Sequence, residues 1–173
     1  MLIENETSYG TGSASVAYIT RIRENYARLG YKAYTWVDNA QSSPPWTPLA
    51  KPLSECRLGL VASGGIYVSG QVAFHWRDDT TFREIPTDVR TEDLRATHFA
   101  YDLTDARRDP NVVFPIDTLR GLVADRAVGA LARRAFTFMG GIYSARKVAE
   151  DLAPKITERL VGETVDVALL VPV

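Results

Sequence analysis

Two short apolar runs constrain this chain more than any other feature. Residues 57–63 read RLGLVAS and stop at Gly64-Gly65, and residues 165–171 read VDVALLV. Each is short for a helix and mostly apolar, which is the pattern of a strand buried on both faces. Strands covered on both faces belong to sheets whose crossovers are helices. Helical spacing is present where such crossovers would lie. Leu119, Leu122 and Val123 give a helix over 117–128, with Asp117 as N-cap after Pro115-Ile116. Val148, Leu152, Ile156 and Leu160 give a second helix, which Pro154 must start or kink and Gly162 would close. NVVF at 111–114 reads as one more short strand. The expected fold class is therefore α/β, an open, mostly parallel, doubly wound (Rossmann-like or flavodoxin-like) sheet with helices on both faces.

The remaining stretches set the domain plan. Residues 1–14 are rich in Gly, Ser, Thr and Asn and read as a flexible arm, leaving 15–173 as a single α/β domain. Val16, Ile19, Ile22, Tyr26 and Leu29 predict an amphipathic helix over 15–29, ended by Gly30 in a left-handed cap. Four prolines between 38 and 53 make that stretch an irregular connection, with Trp36 and Trp46 as surface anchors. Lys plus Arg number 20 against 21 Asp plus Glu, so charge gives no reason to expect nucleic acid or an anionic membrane as partner. No apolar run reaches the roughly 18 residues of a spanning helix, and the start carries no secretory pattern. Cys56 is the only cysteine, so no intrachain disulfide can form and a cytoplasmic location is expected.

Open α/β sheets bind ligands beyond the carboxyl ends of their strands. That rule nominates Ser63, Gly64 and Gly65, either as a cradle of backbone N–H groups for a substrate anion or as a plain structural turn. ASGGIYVSG matches neither the dinucleotide fingerprint nor the phosphate loop. The polar middle, 75–111, holds both histidines, His75 and His98. Glu84, His98 and Asp102 are the candidate acid–base group, with His98 for proton transfer; a hydrogen-bonded structural histidine is the competing reading. The histidine spacing is not that of a zinc site, and no metal is expected. Arg83 could grip a substrate carboxylate with its fork or close an internal ion pair. Gly140, with Gly64 and Gly65, would let backbone approach a ligand closely. Cys56 lacks a sequence-adjacent activator and reads as a buried thiol.

Four segments in register carry a family resemblance over 46–171. They are Phe82-Arg83-Glu84-Ile85-Pro86; His98 with Tyr101-Asp102; Asn111 with Phe114-Pro115 and Asp117; and Phe138-Met139-Gly140. In this order and spacing the chain resembles the selenoprotein B component of the glycine, sarcosine, betaine and D-proline reductases. The resemblance implies reductive cleavage of a bond α to a carboxylate in an amino acid or amine-derived small molecule. It implies a pyruvoyl group on a partner subunit that captures the substrate amine, and a selenolate or thiolate on the B-type component that attacks the α-carbon. No cofactor is implied in this chain itself. In the family a U/C-x-x-C segment directly follows the strand equivalent to 165–171, so the resemblance places the nucleophile beyond Val173 or on a partner chain, and would leave the domain incomplete at its C-terminus. Ala135 and Leu103 stand where relatives often carry histidine.

Three expectations follow. The chain is a reductase subunit whose nucleophile lies elsewhere; or a family member redirected to other chemistry through Glu84, His98 and Asp102; or a non-catalytic binding or assembly subunit. The second requires those three side chains to converge. The third requires an apolar surface near 165–173. In each, a partner subunit or a homo-oligomer is expected.

Overall fold

The computed structural model describes residues 17–31 and 37–173. The chain divides into two compact units, Met1–Ser43 and Pro44–Val173. The arm expected at 1–14 and Trp36 lie outside the described residues. In the first unit, helix α1 (Tyr18–Arg28) is closed as its glycine predicted. Gly30 sits at φ 77°, its N–H donates to Ala27 O, and the Tyr31 N–H reaches Tyr26 O, which together satisfy the last carbonyls of the helix.

The second unit begins with β1 (Arg57–Ala62), β2 (Ile66–Val68), β3 (Phe82–Pro86) and β4 (Leu94–Ala96). Helices α2 (Thr104–Arg108) and α3 (Ile116–Ala124) follow, then β5 (Ala130–Leu131) and β6 (Arg134–Phe138). The unit ends with α4 (Ala145–Lys147), α5 (Ala153–Gly162) and β7 (Val167–Val171). One sheet is built around β1. Leu58–Ala62 pair in parallel with Val167–Val171. Along its other side β1 pairs in parallel first with β5, then with β6, so these two short strands act as one interrupted neighbour. β3 runs antiparallel outside β6. β2 and β4 form a separate antiparallel pair. The result is a mixed α/β unit with a mostly parallel sheet.

Alternation along β1 sends its side chains into two cores. Leu58, Leu60 and Ala62 join α3 (Ile116, Leu119), Phe114 and Ile85 in one cluster. Val61 joins Phe136, Leu152 and Ile156 in the other. At Gly59 a Cβ would stand 2.6 Å from Leu160 Cδ2 and 3.1 Å from Val165 Cγ1, so the glycine lets α5 seat closely against β1 without moving those side chains. Buried Thr137 of β6 donates from its hydroxyl to Ile66 O, tying the β2 end to the sheet.

Several expectations change. The predicted strand at 111–114 is a 3₁₀ turn, Pro110–Val112, because the Asp109 carboxylate accepts from both Asn111 N (3.0 Å) and Asn111 Nδ2 (3.0 Å) and caps it. Asp117 is not an N-cap: α3 starts one residue earlier, and its carboxylate instead receives Thr91 Oγ1 (2.7 Å), Asn111 Nδ2 (2.9 Å) and Arg120 (2.7 Å). α3 stops at Ala124, short of 128, where Arg126 turns left-handed (φ 59°). Pro154 starts no separate helix: residues 145–162 are helical without a break, and the proline follows directly on a π-helical turn over Val148–Leu152 that joins α4 to α5. Thr164 (φ 54°), rather than Gly162, makes the left-handed closure there. Trp46 is exposed, not anchored. β7 begins at Val167 and is not buried on both faces: its middle residues, Ala168 to Leu170, are exposed.

Candidate functional site

The carboxyl end of β1 gathers most of the nominated residues. Ser63 N–H donates to Val171 O (3.0 Å), Gly140 N–H to Ser63 O (3.0 Å), and Gly65 N–H to Phe138 O (3.0 Å). These bonds lace the ends of β7, β1 and β6 together and occupy the N–H groups of Ser63 and Gly65, two of the three that an anion cradle would need. Close protein contacts crowd all three glycines, most severely Gly65. Gly65 has φ 68°, and a Cβ on it would fall 2.0 Å from Thr97 O. A Cβ on Gly64 would stand 2.8 Å from Val113, and one on Gly140 would stand 3.2 Å from Ser63. This geometry favours the structural-turn reading of 63–65.

His98 lies under this turn, 5% exposed. The Ala100 N–H donates to its Nδ1 at 3.0 Å, which assigns the proton of the neutral ring to Nε2. Nε2 is buried without a hydrogen-bond partner. Burial lowers the His98 pKa below the usual imidazole value; the Ser63 backbone lies near enough to oppose that shift, yet forms no bond of ordinary geometry with Nε2. The Tyr101 ring packs 4.7 Å from the His98 ring, centroid to centroid, and its hydroxyl donates to Gly64 O at 2.8 Å. Burial raises the Tyr101 pKa, so the hydroxyl keeps its proton. Tyr101 belongs to the cluster, although reading the polar middle for acids and bases passes over it. Its three-residue separation from His98 was the available signal.

The end of β7 enters the same place. Val173 N–H donates to Ser63 Oγ at 2.9 Å, and its Cγ2 would lie 3.4 Å from a Cβ on Gly64. Ser63, Gly64, Gly65, His98 and Gly140 thus share one corner with Tyr101 and Val173.

Three nominated residues are engaged elsewhere. The Glu84 carboxylate pairs with Arg134 (2.9 Å) and Arg159 (3.0 Å), joining β3, β6 and α5. Asp102 accepts from Thr104 N (2.9 Å) and Thr104 Oγ1 (2.7 Å) at the start of α2, and the bond from that hydroxyl holds its carboxyl below the usual range. Arg83 turns its fork inward, giving Nε to Val72 O (2.7 Å) and Nη1 to Thr81 Oγ1 (2.8 Å), and lies 4.3 Å from the Phe74 ring. None of the three shares a hydrogen-bond partner with His98. Cys56 is fully buried, its thiol directed at Pro52 O (3.3 Å). His75 is exposed and bonded within its own loop.

The opposite end of the sheet carries a depression of about 400 Å³ lined by Lys51, Glu55, Arg57 and Asp166, where Lys51 and Asp166 pair at 2.8 Å. Among the described residues no group of three or more His, Cys, Asp or Glu is placed to hold a metal ion. No described helix is long and apolar enough to cross a membrane.

Comparison with known proteins settles the family. The family model for glycine/sarcosine/betaine reductase selenoprotein B matches residues 27–172. The chain belongs to that family. It is 36% identical over 127 residues to D-proline reductase subunit gamma of Acetoanaerobium sticklandii, covering 73% of this chain and 52% of that one. It is 26% identical over 133 residues to sarcosine reductase complex component B subunit beta of Peptoclostridium acidaminophilum, covering 70% of this chain and 30% of the relative. Glycine reductase complex component B subunit gamma of Symbiobacterium thermophilum is 30% identical over 121 residues, 62% of this chain and 28% of its own. The chain therefore spans about half the length of the first of these relatives and less than a third of the others. No solved structure matches it at a significant level.

Proposed function

We propose that this chain is a component of a cytoplasmic reductase complex that cleaves a bond α to a carboxylate in an amino acid or amine-derived substrate. In this reading the selenol or thiol nucleophile stands beyond Val173 or on a partner chain, close to the corner formed by Ser63, Gly64, His98 and Tyr101. The observation that carries it is the bond from Val173 N–H to Ser63 Oγ, 2.9 Å, which delivers the end of β7 to the same corner as the unpartnered Nε2 of His98. A segment continuing from β7, or a partner strand beside it, would emerge there. The arrangement of helices around both cores supports a doubly wound, Rossmann-like sheet, whose ligands lie at such strand ends.

The chain's own contribution follows from its protonation states. Neutral His98 offers Nε2–H as a donor, suited to an anionic oxygen, sulfur or selenium atom in a site closed to water. Tyr101 fixes the Gly64 carbonyl, and so the turn on which Ser63 Oγ is presented. The pyruvoyl group of a partner subunit would supply an electrophilic carbonyl for the substrate amine; no residue of this chain is assigned to hold it.

The test is the complex purified from the native host with its companion chains, assayed with a dithiol and D-proline, glycine, sarcosine or betaine for reductive cleavage of the bond from the α-carbon to nitrogen, read as ring opening for D-proline and as release of ammonia or amine for the others. Turnover blocked by iodoacetamide, and lost when the companions are removed, is expected. A full complex that cleaves none of these under any reductant would end the reductase reading.

A second reading is favoured by one observation, the exposure of Leu169, Leu170 and Val173 at the end of the chain's last strand. It makes the chain a non-catalytic assembly subunit. His98→Gln separates the two: an assembled complex with kcat reduced at least tenfold supports the first, and unchanged kcat supports the second.

A further inference from the structure

The outer side of β7 pairs with no other described strand. Edge strands of soluble proteins are normally blunted by lysine, proline, a bulge or an inward charge. VALLV carries none of these within the strand. Its exposed side chains also occupy both faces. Val167 and Val171 pack into the core beneath α3, so Leu169 (36% exposed) shares their face. Leu170 (68% exposed) lies opposite Val61 in the register and takes the other face with Ala168. Both helical layers therefore stop short of β7.

We infer that β7 is an internal strand of a larger sheet, completed by a parallel strand of a companion polypeptide that brings its own helices over Leu169 and Leu170. This rests on the reading of the chain as one component of a complex. A short extended peptide would satisfy the free backbone groups but leave both apolar faces wet. A second copy of this chain is disfavoured by the same bareness, since its own β7 adds two more uncovered faces at the junction. A polypeptide equivalent to the unmatched part of a relative such as D-proline reductase subunit gamma, of which this chain matches 52%, has the length to bring both strand and helices. A parallel strand there would end beside Ser63 and Val173, so the companion would also close the His98 corner.

The test is co-expression of this chain with a tagged polypeptide made of the part of the Acetoanaerobium sticklandii subunit outside the matched segment, followed by amide hydrogen exchange on the chain alone and in the purified pair. A one-to-one complex is expected, with the β7 amides that face away from β1 slowed at least a hundredfold. Leu170→Lys should weaken recovery of the complex at least tenfold while leaving the Tm of the chain alone unchanged. Failure to co-purify, unchanged β7 exchange, or full complex formation by Leu170→Lys would each overturn the inference. A concentration-dependent dimer of the chain alone that protects β7 would assign the edge to a second copy instead. Assaying substrate cleavage on the same pair keeps the two readings apart: β7 protected without turnover removes the reductase function and leaves the sheet completion standing.

Discussion

His98 holds its ring in one tautomer, and this has a measurable consequence. Burial keeps its folded pKa below that of a free imidazole, so the unfolded chain takes up a proton that the folded chain refuses. Its contribution is neutral above about pH 6.5 and destabilising as pH falls below that value, with a slope of at most about 1.4 kcal/mol per pH unit. Urea midpoints between pH 7.5 and 5 should fall for the natural chain, and the part of that fall due to this residue should vanish in His98→Gln. The depressed carboxyls of Asp79 and Asp117 contribute little to the change, because their stabilisation is lost only as pH falls through the ordinary carboxylate value of 3.8, below the range measured. Gly65 gives a second prediction. Alanine there meets both a left-handed backbone and the Thr97 carbonyl, so Gly65→Ala should cost about 2–4 kcal/mol or prevent folding. The same change at Gly121, where an added Cβ meets nothing within 4 Å, should be neutral or mildly stabilising by thermal denaturation.

α3 and α5 both end on a residue other than glycine in the left-handed region, Arg126 at φ 59° and Thr164 at φ 54°. Arg126→Gly should therefore raise stability by about 0.5–1 kcal/mol in urea titration, the relief exceeding the entropy that glycine adds to the unfolded chain. Glu84→Gln should lower stability by about 1 kcal/mol or less, since the arginines it joins are half exposed, and should leave kcat in the assembled complex unchanged. These elements also show what the sequence could tell. β1 and β7 were visible because apolar runs report strands made to be covered. Their actual covering was not, because such a pattern records what a strand requires rather than what surrounds it. β3 and β6 were missed, since FREIP and RAFTF carry charges that an outer strand or a strand end can keep wet. Ser63, Gly64 and Gly65 were nominated by the rule about strand ends, and His98 by the search of the polar middle for acids and bases; the structure brings them to one corner. Arg83 and Glu84 did not join them; adjacent residues on a strand point to opposite faces, so they could not both have faced one site.

Among the described residues both apolar cores are built from Pro44–Val173, and this unit is expected to fold without the segment before it. A fragment starting at Pro44 should melt cooperatively, with near-ultraviolet circular dichroism retained; a non-cooperative melt would show that the first unit is required. The sheet is assembled from distant parts, because β1 finds its neighbours only at Ala130–Phe138 and Val167–Val171. At a translation rate of roughly 5–20 residues per second, the finished central strand waits about 5–20 s before its last partner has been made. Neither side of LGLVA has a partner until Ala130–Phe138 is made, and one side stays open until β7 follows, so the recovery of the newborn polypeptide in a cell depends on chaperone supply and on growth temperature as much as on the stability of the finished fold.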